Sequence, residues 1–126
     1  MKNEWARDVK DAITRYKEQV LPWIGDGPDF YGAAGMELGN SIYEIEMAYN
    51  KMPPNTIKTY TFGLLARFRL LQGYCLKEDI EETEKTDFIK RAITRVDERI
   101  NTVEFGVDAV LKAEAEQNDE QYQQGL

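Results

Sequence analysis

The chain has 126 residues, 42% hydrophobic and 31% charged, a balance that lets a single domain bury a real core without staples. Its net charge of −7 argues against unaided binding of nucleic acid or an anionic membrane, so neither is expected as a direct partner. It has no histidine, one serine (Ser41) and one cysteine (Cys75), which excludes Ser-His-Asp and Cys-His catalysis within one chain, histidine-ligated zinc, the Glu-x-x-His di-iron bundle and an internal disulfide.

Residues 3–21 read as an amphipathic helix. Trp5, Val9, Ala12, Ile13, Tyr16 and Val20 keep helical spacing, while Arg7, Lys10, Asp11, Lys17 and Glu18 fill the other side. Pro22 is expected to end the helix or kink its last turn. The following Trp23-Ile24-Gly25-Asp26-Gly27-Pro28-Asp29 is a turn-rich connector carrying a large aromatic.

Residues 29–51 read as a second helix with an unusual start. Gly32, Gly35 and Gly39 fall three and four apart, and each glycine inside a helix costs about 1 kcal/mol against alanine. Two readings stay open: a neighbouring helix packs close to this strip, or residues 25–35 form a glycine-rich loop and the helix starts near Met36. From there Leu38, Ile42, Ile45, Tyr49 and Met52 make an apolar face. Met52-Pro53-Pro54 stops the helix, because a residue before proline avoids the α region, and Asn55 is placed to cap the next one.

Residues 56–76 are the most apolar segment. Ile57, Tyr60, Leu64, Phe68, Leu71 and Cys75 share one face, and Phe62, Leu65 and Leu76 cover much of the remainder, which places this helix at the centre, surrounded by protein. The short Pro-Pro link makes it antiparallel to the second helix. Residues 26–52 hold five acids and one base, and residues 53–77 hold four bases and no acid. Arg67 and Arg69 are therefore expected to form structural ion pairs with Glu37, Glu44 or Glu46. Cys75, on the apolar face, reads as a buried structural thiol.

Residues 78–86 read as an acidic connector, with room for a helical turn, and Thr86 is the candidate cap of a long helix over residues 86–116. Ile89, Ile93, Val96, Ile100, Val103, Val107 and Val110 alternate steps of four and three, a heptad seam. Lys90, Arg91, Arg95 and Arg99 crowd its first half. About 31 residues would span about 46 Å, against about 31 Å for the third helix. That difference leaves Val103, Val107 and Val110 without obvious cover inside the chain, so they are candidate interface residues for a second copy or another protein. The fold class expected is all-α: a four-helix antiparallel bundle-like domain over residues 1–116, with a long C-terminal helix and a polar tail over residues 117–126, rich in glutamine and acid and expected to be disordered alone.

Glu78, Glu81, Glu84 and Asp87 recur every third residue. The Glu-x-x-Glu and Glu-x-x-Asp steps resemble the magnesium motifs of all-helical nucleotide pyrophosphatases, and a carboxylate- and magnesium-dependent hydrolase of that type is the alternative functional reading. In that family the motifs sit on two facing core helices. Here they share one connector, and three-residue steps rotate by about 60° each, so four acids cannot share one face. A solvated connector is the simpler account. The segment 48–55 resembles the close of a tetratricopeptide unit, but the next segment does not continue that pattern, and no internal repeat is present.

Trp23, Phe30 and Tyr31, set among glycines, either present aromatics to a partner or pack as a corner under the bundle. No phosphate-binding glycine motif and no cofactor are implied. Met1-Lys2-Asn3-Glu4 runs into mixed polar sequence, no apolar run approaches membrane-spanning length, and the lone cysteine suits a reducing compartment, so a cytoplasmic protein is expected. The leading expectation is a non-enzymatic interaction protein with a protein partner, a homo-oligomeric state, or both. One version uses the acids at residues 26–46, 78–87 and 114–120 to occupy a basic partner surface.

Overall fold

A computed structural model describes the backbone of residues 3–124 and the side chains of residues 3–118. Within these bounds the chain is all-α and bundle-like, with no strand. Its helices are α1 (Glu4–Arg15), α2 (Leu21–Gly25), α3 (Tyr31–Lys51), α4 (Thr56–Leu76) and α5 (Glu82–Gln124). Among the described residues no helix is long and apolar enough to cross a membrane.

α1 buries Trp5, Ala6, Val9, Ala12 and Ile13, the face that its spacing announces. Pro22 does not stop it. A five-residue π-helical turn, Tyr16–Val20, precedes the proline, and the Leu21 N–H reaches back to the Tyr16 carbonyl. Pro22 has no N–H to give and its ring crowds the carbonyl four residues back, so a widened turn lets the helix continue into α2. The reversal comes at Gly27, whose φ of 106° suits glycine. A single 3₁₀ turn, Pro28–Phe30, then leads directly into α3.

α3 therefore starts at Tyr31, and Gly32, Gly35 and Gly39 are helical. Only part of that strip is a close approach. A Cβ on Gly35 would lie 2.8 Å from Leu76 Cγ and Cδ2 and 3.0 Å from Cys75 Cβ, whereas Gly32 faces open space. Met52 is extended before Pro53, and the Asn55 side chain accepts the Lys58 N–H at 2.9 Å, capping α4.

α3 packs against α1 and α4, and α5 packs against α4 and α1, so the four long helices form a ring in the order α1–α3–α4–α5. Each neighbour is antiparallel. Tyr16 meets Phe68 across the centre, with ring centroids 5.0 Å apart. α4 is not surrounded: Thr61, Leu64, Leu65, Phe68, Leu71 and Cys75 are buried, but Tyr60, Phe62, Leu70 and Leu76 are exposed. A ring gives each helix two neighbours and one open side, and α4's open side happens to be apolar.

α5 starts at Glu82, four residues before the expected cap. Thr86 lies inside its first turns, where its hydroxyl meets the Tyr31 hydroxyl at 3.0 Å. The helix has 43 residues, about 65 Å by the usual rise. Val103 and Val107 are fully buried and Val110 is partly buried against the core. The expectation that this end lacks cover is corrected: α1 runs antiparallel along it. Arg7 pairs with Glu114 at 3.4 Å, and Lys10 and Lys17 each reach Glu104 at 2.9 Å. The helix continues unbroken past residue 116, so no backbone break separates domain from tail. The tail's side chains from residue 119 onward, and residues 125–126 entirely, lie outside the described residues.

Candidate interaction surfaces

The sequence-derived site residues are distributed as follows. Val103 and Val107 belong to the core, as does Tyr31, which is buried and held through its hydroxyl. They are unavailable to a partner in the folded chain, a correction that follows from α1 and the first turn of α5 covering them. Trp23 and Phe30 remain at the surface, 39% and 40% exposed, and stack across the Gly27 turn with centroids 5.5 Å apart. Their partner is each other. Arg69 pairs with Glu46 at 3.1 Å. Glu37 and Glu44 pair instead with Arg15 of α1, at 4.0 and 2.8 Å. Arg67 has no carboxylate within ion-pair distance among the described residues; its Nη1 donates to its own helix, to the Gly63 carbonyl at 3.0 Å. The carboxylate ladder is split between the connector, with Glu78 and Glu81, and the start of α5, with Glu84 and Asp87. Among the described residues no three acids or cysteines gather as metal ligands.

Two surfaces stand out once the helices are in place. The first lies between α1 and α3, an open groove of about 780 Å³. Asp8, Asp11 and Glu18 line one wall and Glu37 and Glu44 the other, so five carboxylates face one arginine, Arg15. Lys51 reaches Asp8 only at 3.8 Å. Asp11 and Glu18 have no cation within that range among the described residues. Tyr43 and Met47 form the lip on α3, and with Met36 they make an exposed row at spacings of seven and four; Tyr43 is 65% and Met36 71% exposed. Exposed methionine and tyrosine beside concentrated negative charge is a surface that takes an amphipathic, basic segment.

α1 and the π-helical turn that continues it build this groove by sorting charge. Arg7, Lys10 and Lys17 turn toward α5, where Glu104, Asp108 and Glu114 receive them. Asp8, Asp11 and Glu18, each one residue after one of those bases, turn toward α3 together with Arg15. In linear sequence the acids and bases alternate and cancel. On the helix they separate by about 100° per residue. The linear pattern of residues 3–21 therefore shows no acidic segment. The visible signal is the 3-4-3 spacing of residues 8, 11, 15 and 18.

The second surface lies between α4 and α5. A groove of about 450 Å³ runs past Leu70, Tyr74, Arg91 and Arg95, and a smaller hollow of about 230 Å³ opens beside Arg67 and Ala92. Arg91, Arg95 and Arg99 stand four residues apart on α5, one row along the groove. Arg91 lies over the Phe88 ring and Arg99 over the Tyr60 ring. Gly63 makes room for two guanidinium groups: a Cβ there would sit 3.1 Å from Arg67 Nη1 and 3.2 Å from Arg99 Cζ. None of these four arginines has a carboxylate within ion-pair distance among the described residues. Burial, then the neighbouring charges of Arg99 and Arg95, lower the pKa of Arg67 from its ordinary value, with Glu98 opposing. These guanidinium groups stand beside one lining carboxylate, Glu98, which is not within ion-pair distance of them.

Because the ring order is α1–α3–α4–α5, the acidic groove and the arginine groove lie on opposite sides of the bundle. The chain matches no family model, no curated protein and no solved structure.

Proposed function

We propose that the chain is a non-enzymatic, cytoplasmic interaction protein that holds a basic, amphipathic segment of a protein partner in the groove between α1 and α3. One observation carries this reading: five carboxylates line an open groove with one arginine, Lys51 reaching only Asp8, and the groove's lip is exposed tyrosine and methionine. The negative wall speeds encounter with a basic segment and fixes its register, and the apolar lip takes the segment's hydrophobic side. Backbone-rigid helices on both sides mean that little has to be ordered on binding.

The test is a titration of the chain into a fluorescent amphipathic helical peptide carrying Lys or Arg on one face and Leu on the other, followed by anisotropy. Binding is expected at low salt, weakening several-fold at about 0.5 M salt as exposed charges are screened. Tyr43→Ser with Met47→Ser should weaken it further with the salt dependence kept. No binding at about 100 µM chain would refute the reading, since a specific groove should be occupied there.

A further inference from the structure

The acidic groove needs a basic surface, and the chain itself presents one. Arg67, Arg91, Arg95 and Arg99 line the side opposite the acidic groove without a carboxylate of their own within ion-pair distance among the described residues. Phe105 extends the outer row of α5 beyond them, in heptad register with Arg91 and Glu98, and is 82% exposed, the most exposed large hydrophobic residue described. The two surfaces carry opposite excess charge. The α1–α3 side has uncompensated carboxylates and an apolar row of Met36, Tyr43 and Met47. The α4–α5 side has four guanidinium groups beside one carboxylate, Glu98, and the apolar residue Leu70, with Phe105 exposed further along α5.

We propose that the arginine side of one copy docks into the acidic groove of a second copy, joining α4 and α5 of one molecule to α1 and α3 of the next. This deepens the reading of the acidic groove given above and rests on it. Guanidinium groups suit the contact because they can pair with carboxylates bidentately and stack on aromatic rings at once. Arg91 and Arg99 already lie over rings, with Cζ 5.0 Å from the Phe88 centroid and 5.4 Å from the Tyr60 centroid.

Geometry sets the form of the assembly. The two surfaces lie on opposite sides of the bundle, so a single contact cannot satisfy both surfaces of both molecules. The contact is heterologous, and repeating it gives a closed ring or an open chain of copies, not a two-fold dimer.

The experiment uses the full chain and two neutralised variants in sedimentation velocity. Asp11→Asn with Glu18→Gln weakens the acidic side only. Arg91→Gln with Arg95→Gln weakens the arginine side only. All four positions are exposed, so circular dichroism should show both variants folded. Wild type is expected to form species larger than a dimer at about 50 mM salt and to fall apart at about 1 M. Each variant alone should be monomeric, and an equimolar mixture should give a 1:1 dimer, because one intact acidic side then meets one intact arginine side and growth stops. Wild type that stays monomeric at low salt, or a mixture that does not pair, overturns the proposal. The basic peptide, titrated into the Arg91→Gln/Arg95→Gln variant, separates the two claims. If the peptide binds while copies do not associate, the groove reading stands and self-docking falls; if neither happens, both fall.

Discussion

Tyr16 is the residue at which the core is least settled. It is fully buried, meets the Phe68 ring at a tilt of 43°, and its hydroxyl has no hydrogen-bond partner among the described residues. Burial, helped by the nearby Asp97 and Cys75, raises its pKa well above the usual phenol range, so it stays protonated and carries an unused donor. An unsatisfied buried hydroxyl costs about 1–3 kcal/mol, so Tyr16→Phe should stabilise the chain by about 1 kcal/mol in urea denaturation. A loss of stability would mean that the hydroxyl is bonded after all. Cys75 is buried too, and burial lifts its thiol to about 11, which leaves it an inert core residue at neutral pH.

Glu104 makes the opposite case. Burial pushes its carboxyl up, but the ammonium groups of Lys17 and Lys10 outweigh that and hold it below the usual carboxylate value. The unfolded chain therefore takes up the proton first as pH falls. The stabilisation is present above the unfolded carboxylate range and is lost as pH drops through the folded value. Glu104→Gln should lower the melting temperature at pH about 7, by roughly 1 kcal/mol in stability terms, and have almost no effect at pH about 2. Melts by circular dichroism at both pH values check this; a gap that persists in acid would reject it.

Between elements, the α3–α4 contact turns on one glycine. Gly35→Ala would push a methyl group into Leu76 and the Cys75 Cβ, so α4 must shift, and a net loss of about 1 kcal/mol is expected after the better helix propensity of alanine is counted. Gly73→Ala, on the same helix pair but facing open space, should gain up to about 1 kcal/mol. Parallel denaturation curves decide it; equal effects at the two sites would deny the close approach. What the sequence made legible at this scale was local. The Met52-Pro53 stop and the Asn55 cap depend on neighbouring residues and are where the pattern puts them. The sequence pattern puts the start of α5 four residues late, because residues 82–86 contain no apolar residue for a periodicity to register. Cover over Val103 and Val107 was missed because it comes from Lys10 and its helix, more than 85 residues away in the chain. The acidic groove was hidden for a related reason: charges that alternate along α1 separate only when the helix turns and α3 lies beside it.

At the scale of the molecule, the ring order decides what each surface can do. Net charge alone describes the chain as acidic. The bundle instead divides that charge into an acidic side, an arginine side, and a cross-linked α1–α5 side on which Lys10, Lys17 and Glu104 neutralise one another.

The α1–α5 side also bears on how the fold is reached. The α3–α4 and α4–α5 hairpins join segments adjacent in sequence, whereas the α1–α5 hydrogen bonds span 87 to 107 residues. Long-range pairing carries the larger closure entropy, so this seam should form after the rate-limiting step of folding. In stopped-flow kinetics, Glu104→Gln should then leave the folding rate nearly unchanged and speed unfolding by roughly the whole of its equilibrium effect. The ends of the chain would be the last part to close and the first to part. The lifetime of the native state, more than the speed of reaching it, would rest on three lysine and arginine side chains in the first seventeen residues.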